Sequence, residues 1–176
     1  MAENHGATYM FMCLEGVNGG AVQGEAKDIV HGNEIQLLSF ETHVTGSNAA
    51  TTEGAWKADF PPVTLGIVIS KASPSLWKAA CAGTVFKRVT ISCRKHGASK
   101  ANPDYMQWRF SDVQVVDYSL KVEDDKPVET IQISYQVVEV FYARQEQDGM
   151  LKDPVKRSWS LDENKEAPIT LPYVPK

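Results

Sequence analysis

The sequence predicts a mainly β protein: a single β-barrel or two-sheet sandwich with one short flanking α-helix at about residues 74–82. Three observations carry this reading. About eight short runs alternate apolar and polar side chains, and each is bounded by Gly, Pro, Asn or Asp. Only one segment carries the signals of both ends of a helix. The 176 residues suit one domain, taken as 1–176; a chain of this length buries roughly 70% of its unfolded surface without a disulfide or metal staple.

Residues 1–7 are polar and predicted to be a flexible end. Residues 8–14 are apolar on both faces, as in a strand covered on both sides. Residues 15–32 hold Gly16, Gly19, Gly20, Gly24 and Gly32 and read as loop. Residues 34–45 form a second strand, with Leu38, Phe40 and Val44 on one face and Ile35 and Leu37 on the other. Residues 45–62 have no period, yet keep Trp56 and Phe60. A loop this long inside a compact domain is usually functional or ordered by a partner. Residues 63–71 return to strand, with Val63, Leu65, Ile67 and Ile69 aligned.

The helix follows. Ser73 is placed to cap it, its hydroxyl accepting an orphan backbone N–H. Pro74 suits the first turn, where its missing N–H costs nothing. Leu76, Ala79 and Ala80 fall on one face, and Gly83 ends the helix in the left-handed conformation. Residues 85–94 then alternate, with Val89, Ile91 and Cys93 against Arg88, Thr90, Ser92 and Arg94. Residues 96–104 are a turn-rich connection. Residues 105–112 place Met106, Trp108 and Phe110 inward and Gln107, Arg109 and Ser111 outward, with a bend at Ser111-Asp112 before strand resumes to 122. After a charged turn at 123–127, residues 129–144 read as the longest strand. Its first half sets Ile131, Ile133, Tyr135 and Val137 against Thr130, Gln132, Ser134 and Gln136; in its second half Val138, Val140 and Tyr142 make the other face apolar too. The remainder is a polar tail, with an edge strand at 155–161 carrying Trp159 and a flexible end at 167–176.

Little here suggests chemistry. The formal charge is −4 and no basic stripe occurs, which argues against a nucleic-acid surface. No apolar stretch reaches the length of a membrane span, and the amino-terminal residues lack the charged and apolar regions of a signal peptide, so synthesis and first residence in the cytosol are expected. Cys13, Cys81 and Cys93 form no disulfide framework. Nucleotide-binding, hydrolase-elbow and zinc motifs are missing, so no cofactor, metal or catalytic residue is expected, and the protein reads as a non-enzyme. His5, His31, His43 and His96 read as surface histidines, and Ser73 as a cap rather than a nucleophile. Two features resist a bland reading: the aromatic loop 45–62, and the two apolar faces around 138–142. The latter point either to another subunit or to packing beneath the helix or tail.

Several segments resemble the haemolysin-coregulated protein (Hcp) family, which forms the tube of bacterial type VI secretion systems. They are Gly24-Glu25-Ala26-Lys27-Asp28 leading to His31-Gly32-Asn33-Glu34-Ile35-Gln36-Leu37-Leu38-Ser39-Phe40; Lys71-Ala72-Ser73-Pro74-Ser75-Leu76 with Ala79-Ala80-Cys81-Ala82-Gly83; Phe86-Lys87 with the strand to Arg94-Lys95; Phe110-Ser111-Asp112-Val113; Glu129-Thr130-Ile131-Gln132-Ile133-Ser134-Tyr135; and Trp159-Ser160-Leu161-Asp162. The resemblance runs through nearly the whole chain in order. It implies a barrel with a flanking helix, assembled as homo-hexameric rings that stack into a tube similar to phage tail tubes, surrounded by sheath proteins and capped by a spike. It also implies small effector proteins held in the lumen, export without a cleaved signal peptide, and no enzymatic activity. In such proteins the long loop after the second strand reaches neighbouring subunits, which makes Trp56, Asp59 and Phe60 interface candidates. Val138, Val140 and Tyr142 join them by pattern, and Thr130, Gln132, Ser134 and Gln136 are candidates for the lumen or a ring surface. The chain departs from the family pattern in a longer, glycine-rich segment at 17–24 and an extended carboxyl end at 167–176. A monomeric, small-ligand-binding β-barrel is the alternative; it predicts an apolar cavity and no large assembly.

Overall fold

A computed structural model describes residues 8–47, 56–95, 103–123, 126–146 and 150–169. In chain order the elements are β1 (Thr8–Gly16), β2 (Ala21–Val22), β3 (Ile35–Glu41), β4 (Thr45–Ser47), β5 (Lys57–Asp59), β6 (Val63–Ile67), α1 (Ser73–Ala82), β7 (Val85–Lys95), β8 (Met106–Glu123), β9 (Lys126–Ser134), β10 (Val137–Gln145) and β11 (Leu151–Ser160). Six strands close on themselves in the order β8-β7-β1-β3-β6-β9, with β9 pairing back onto β8. Closure removes the open strand edges that would otherwise template aggregation.

β8 makes closure possible. Its first half pairs with β7 on one side and β10 on the other; its second half leaves both and pairs with β9. The change of partner comes at the predicted bend, where Asp112 sits at φ 54°. β10 and β11 therefore continue the sheet outside the closed ring, with β11 as its edge. The interior is filled by alternate residues of the ring strands, including Met12, Leu14, Ile35, Leu65, Ile91, Phe110, Ile131 and Ile133, all fully buried. Helix α1 adds Leu76 and Ala79 to this core.

The helix starts differently from expectation. Ala72, with helical dihedrals, occupies the cap position and no side chain caps the helix; Ser73 is already helical. The Ser73 hydroxyl instead donates to Glu129 Oε2 at 2.6 Å and accepts from the Ser70 N–H. Glu129 is fully buried on β9, so its carboxylate claims the hydroxyl that a cap would have used. Burial and the neighbouring Glu129 carboxylate push the Tyr118 phenol up to about 12. Gly83 does end the helix in the left-handed region, at φ 60°.

Other differences have local causes. The single strand expected over 129–144 is two, β9 and β10, because the chain leaves the closed ring after Ser134. The register of β3 slips between Leu37 and Ser39, so Phe40 packs against the core while Leu38 is exposed. β6 stops at Ile67, leaving Ile69 outside it and exposed. The glycine-rich segment after β1 contains β2, which pairs back onto β1. The edge strand expected at 155–161 is longer, starting at Leu151.

Candidate functional site

Of the loop expected over 45–62, residues 48–55 lie outside the described residues; at its two described ends β4 and β5 pair antiparallel, Thr45 with Asp59 and Ser47 with Lys57, as a separate two-stranded arm. The second strand of the arm is pinned from a distance. The Asn164 side chain donates to the Trp56 carbonyl at 3.0 Å and accepts from the Ala58 N–H at 3.4 Å. Asn164 lies in a turn at φ 48°, a conformation Asn tolerates better than most residues. Gly46 lies directly under the Trp56 ring, where a Cβ would overlap the indole.

Between this arm and the sheet runs an open groove of about 360 Å³, lined by Val44, Trp56, Ala58, Phe60, Trp108, Val138, Val140, Arg157, Ser158 and Trp159. Register builds its floor. Val138 stands opposite Phe110 and Trp159, and Val140 opposite Trp108 and Arg157, so these side chains share one face of β8, β10 and β11. The floor is rigid because it continues the core. Trp108 stacks on Phe110 with centroids 6.3 Å apart and meets Phe40 edge-on at 5.5 Å; Phe110 packs on Tyr135, which meets Phe60 edge-on at 6.5 Å. The arm side is open: Trp56 is 59% exposed and Val44 equally so. The Trp159 indole nitrogen is buried with no hydrogen-bond partner among the described residues.

Of the predicted interface residues, Trp56, Phe60, Val138 and Val140 come together in this groove. Asp59 is exposed on β5, and Tyr142 is 47% exposed further along β10, outside the groove lining. Val138 is buried within the chain, while Val140 remains half-buried. On β9, Thr130, Gln132 and Ser134 share the half-buried outer face; Gln136 lies beyond the break, exposed, bonded through its backbone to Ser111 and Leu161. Trp108, Trp159 and Asn164 were not foreseen. Trp108 and Trp159 belong with Val138 and Val140 by period-two spacing once β8, β10 and β11 are neighbours, but no local signal gives that adjacency.

At the start of β8 the opposite face is polar and buried. His31 is not a surface histidine: it is fully buried, with Nδ1 2.9 Å from Glu34 Oε2 and Nε2 2.9 Å from Asp104 Oδ1, and its ring stacks on Phe11 at 4.7 Å. Burial alone would lower its pKa, but the two carboxylates raise it to about 9, so the ring is an imidazolium at neutral pH. Asp104, also fully buried, accepts from Gln107 Nε2 at 3.1 Å, and Gln107 accepts from Arg109. Arg109 lies 4.0 Å from Glu139. Asp28 accepts from Arg94 at 2.7 Å and from the backbone N–H groups of Val30 and His31, bonds that hold its carboxyl below the usual range against the opposing effect of burial. Ser92, Arg94 and Gln107, placed on outward faces by alternation, are buried: Arg94 beneath Asp28, and Gln107 donating to Ser92 and Asp104. His43 is exposed, as expected.

Among the described residues, no group of three or more His, Cys, Asp or Glu side chains could hold a metal ion. No described helix is long and apolar enough to cross a membrane.

Residues 11–142 match the family described as type VI secretion system effector, Hcp. The chain is 28% identical over 155 residues to protein hcp1 of Pseudomonas aeruginosa, covering 84% of this chain and 94% of that protein. A crystal structure of Hcp1 from Salmonella typhimurium superposes with a TM-score of 0.73 at 24% identity, over 92% of this chain and 99% of that one. A solved structure described as a type six secretion system protein gives 0.78 at 24% identity, over 92% and 100%.

Proposed function

Because the chain belongs to the Hcp family of type VI secretion proteins, we propose that it is a structural subunit of the secretion inner tube, forming hexameric rings that stack and are expelled into target cells. Its partners in this reading are further copies of itself, the sheath and spike proteins, and small effector proteins bound and stabilised in the ring lumen. It is made in the cytosol, leaves through the apparatus without a cleaved signal peptide, and acts by assembly rather than catalysis.

The observation that carries the reading is the groove. Three tryptophans and Phe60 line an open apolar surface whose floor is rigid and whose arm side is exposed. Aromatic residues in such settings anchor protein–protein contacts. Cyclic closure requires two different patches of each subunit to meet; in this proposal the groove, with Trp56, Phe60, Val138 and Val140, is one of them. Asp59 and Tyr142 flank it as rim residues. The polar β9 face of Thr130, Gln132 and Ser134, with Gln136 beyond it, forms the lumen or a ring surface.

Solution mass together with electron-microscope images tests the assembly. Uniform rings with a central hole support it; a 19.5 kDa monomer at every concentration reached would overturn it. Cysteines at Thr130, Gln132 or Ser134, labelled in assembled rings, should react far faster than cysteines at the buried Ile131 or Ile133. Equal rates would remove the face from lumen and ring surface. The groove's volume also suits a small apolar ligand. In that second reading the protein stays monomeric and saturably binds a hydrophobic fluorophore that groove substitutions abolish.

A further inference from the structure

Residues 24–34 form a strap over the outer face of β1, β7 and the start of β8. Its own folding is local. Gly24 and Ala26 donate to the Asn33 and Glu34 carbonyls, and Asn33 donates back to Ala26. A Cβ at Gly24 would overlap the Glu34 carbonyl, so the two ends of the strap cross at backbone contact.

Charge and ring stacking dominate the contacts that fasten the strap. Ala26 is buried and Val30 half-buried, whereas Ile29 is 78% exposed. Contacts to the barrel and to the segment before β8 include His31 to Asp104, Asp28 to Arg94 and the His31 ring on Phe11; Glu25 accepts from the Lys71 N–H in the turn before α1. The barrel beneath is held differently, by a filled apolar core. Segments with few buried apolar contacts open at lower free energy than the core they cover.

We propose that the strap is a clasp that opens and closes as a unit on an intact barrel, and that His31, bridging Glu34 and Asp104, is the bolt that keeps it shut. The groups facing the bolt are Glu34 and Asp28 from the strap, Asp104 from the segment before β8, Arg94 and Cys93 from β7, and the uncharged Phe11 from β1. Three carboxylates and two cations meet there when the imidazole is protonated. Deprotonation removes one cation and raises the negative excess of the cluster from one to two, an excess that opening would hydrate. The closed state is therefore complete below the ordinary histidine value of 6.5 and weakens as pH rises through about 9. An opened clasp uncovers Asp104 and Arg94 and leaves the groove face of the sheet unchanged.

Amide hydrogen exchange read by mass spectrometry tests this on the full chain. In His31→Gln at pH 7, peptides covering 24–34 should lose protection at least tenfold, while peptides of β1 and β7 keep theirs. Strap and barrel losing protection together, or a strap unchanged by the substitution, overturns the proposal. The unaltered protein gives the same answer independently. Between pH 7 and 10, after correction for intrinsic base catalysis, strap protection should fall at least tenfold with barrel protection constant. Constant strap protection over that range overturns it as well.

Discussion

β8 and β10 carry opposite chemistry on their two faces. One face presents Gln107, Arg109, Glu139 and Phe141; the other presents Trp108, Phe110, Val138 and Val140. At the start of β8 the polar face is closed by the chain itself, with His31 of the strap and Gln107 both bonded to Asp104. The apolar face is closed only in part: Phe110 is sealed in the core, whereas Trp108 and Val140 reach a groove that none of the described residues fills. Physical chemistry separates the two. A buried charge without a partner costs several kcal/mol, so its partners must come with the fold. A half-exposed tryptophan costs the monomer little, and its burial remains available to whatever docks there.

The comparison breaks most violently at the point where the apolar face enters the core. Phe110→Ala should destabilise the chain by about 3–5 kcal/mol, because it empties the position on which Trp108 stacks and Tyr135 packs. Chemical denaturation would read this as a lower midpoint at unchanged slope. A loss under 1 kcal/mol would mean that the aromatic series from Phe40 to Tyr135 is not the continuous floor described.

On the polar face the expected effect is smaller and depends on pH. Asp104→Asn keeps the shape and one of the two acceptor oxygens but removes the charge of one of the two carboxylates bonded to His31, and should cost about 1.5–3 kcal/mol at pH 7. The His31 imidazole, followed by NMR, should titrate well below its value of about 9 in the unaltered chain. The linkage has one sign: a raised histidine pKa stabilises fully below 6.5 and loses that stabilisation by about 9. The difference in stability between the two proteins should therefore shrink from pH 6 to pH 10. A difference that grows over this range would contradict the imidazolium assignment.

How much of this was legible in the sequence follows the same division. Local signals worked: the helix stopped at Gly83, β8 bent at Asp112, and the runs read as strands are strands of one sheet that closes into a barrel through six of them. Contacts between distant segments did not announce themselves. His31 and Asp104 are 73 positions apart, and each sits in a segment whose glycines or prolines read as solvated loop. Ser73 had every local mark of a cap, yet a carboxylate 56 positions away took its hydroxyl. The arm was missed for a simpler reason, because pairing of only three residues per strand leaves too short a period to detect. For the groove, period two named Val138 and Val140, but only the sheet order places Trp108 and Trp159 beside them.

The smallest expected effect on the fold gives the sharpest reading of the open face. Gly46→Ala adds one methyl group beneath the Trp56 ring, where it would overlap the indole. Trp56 is 59% exposed and can swing outward, so the monomer should lose no more than about 1 kcal/mol. The groove would nevertheless lose its arm-side wall with every aromatic residue still present. If the groove is a subunit contact, ring assembly measured by sedimentation should weaken by tenfold or more, as in Trp56→Ala. If Trp56→Ala disrupts rings and Gly46→Ala does not, the indole contributes apolar area alone and its position against the arm is immaterial. Rings unaffected by both substitutions would separate the open face from assembly altogether and leave it to the small-ligand reading.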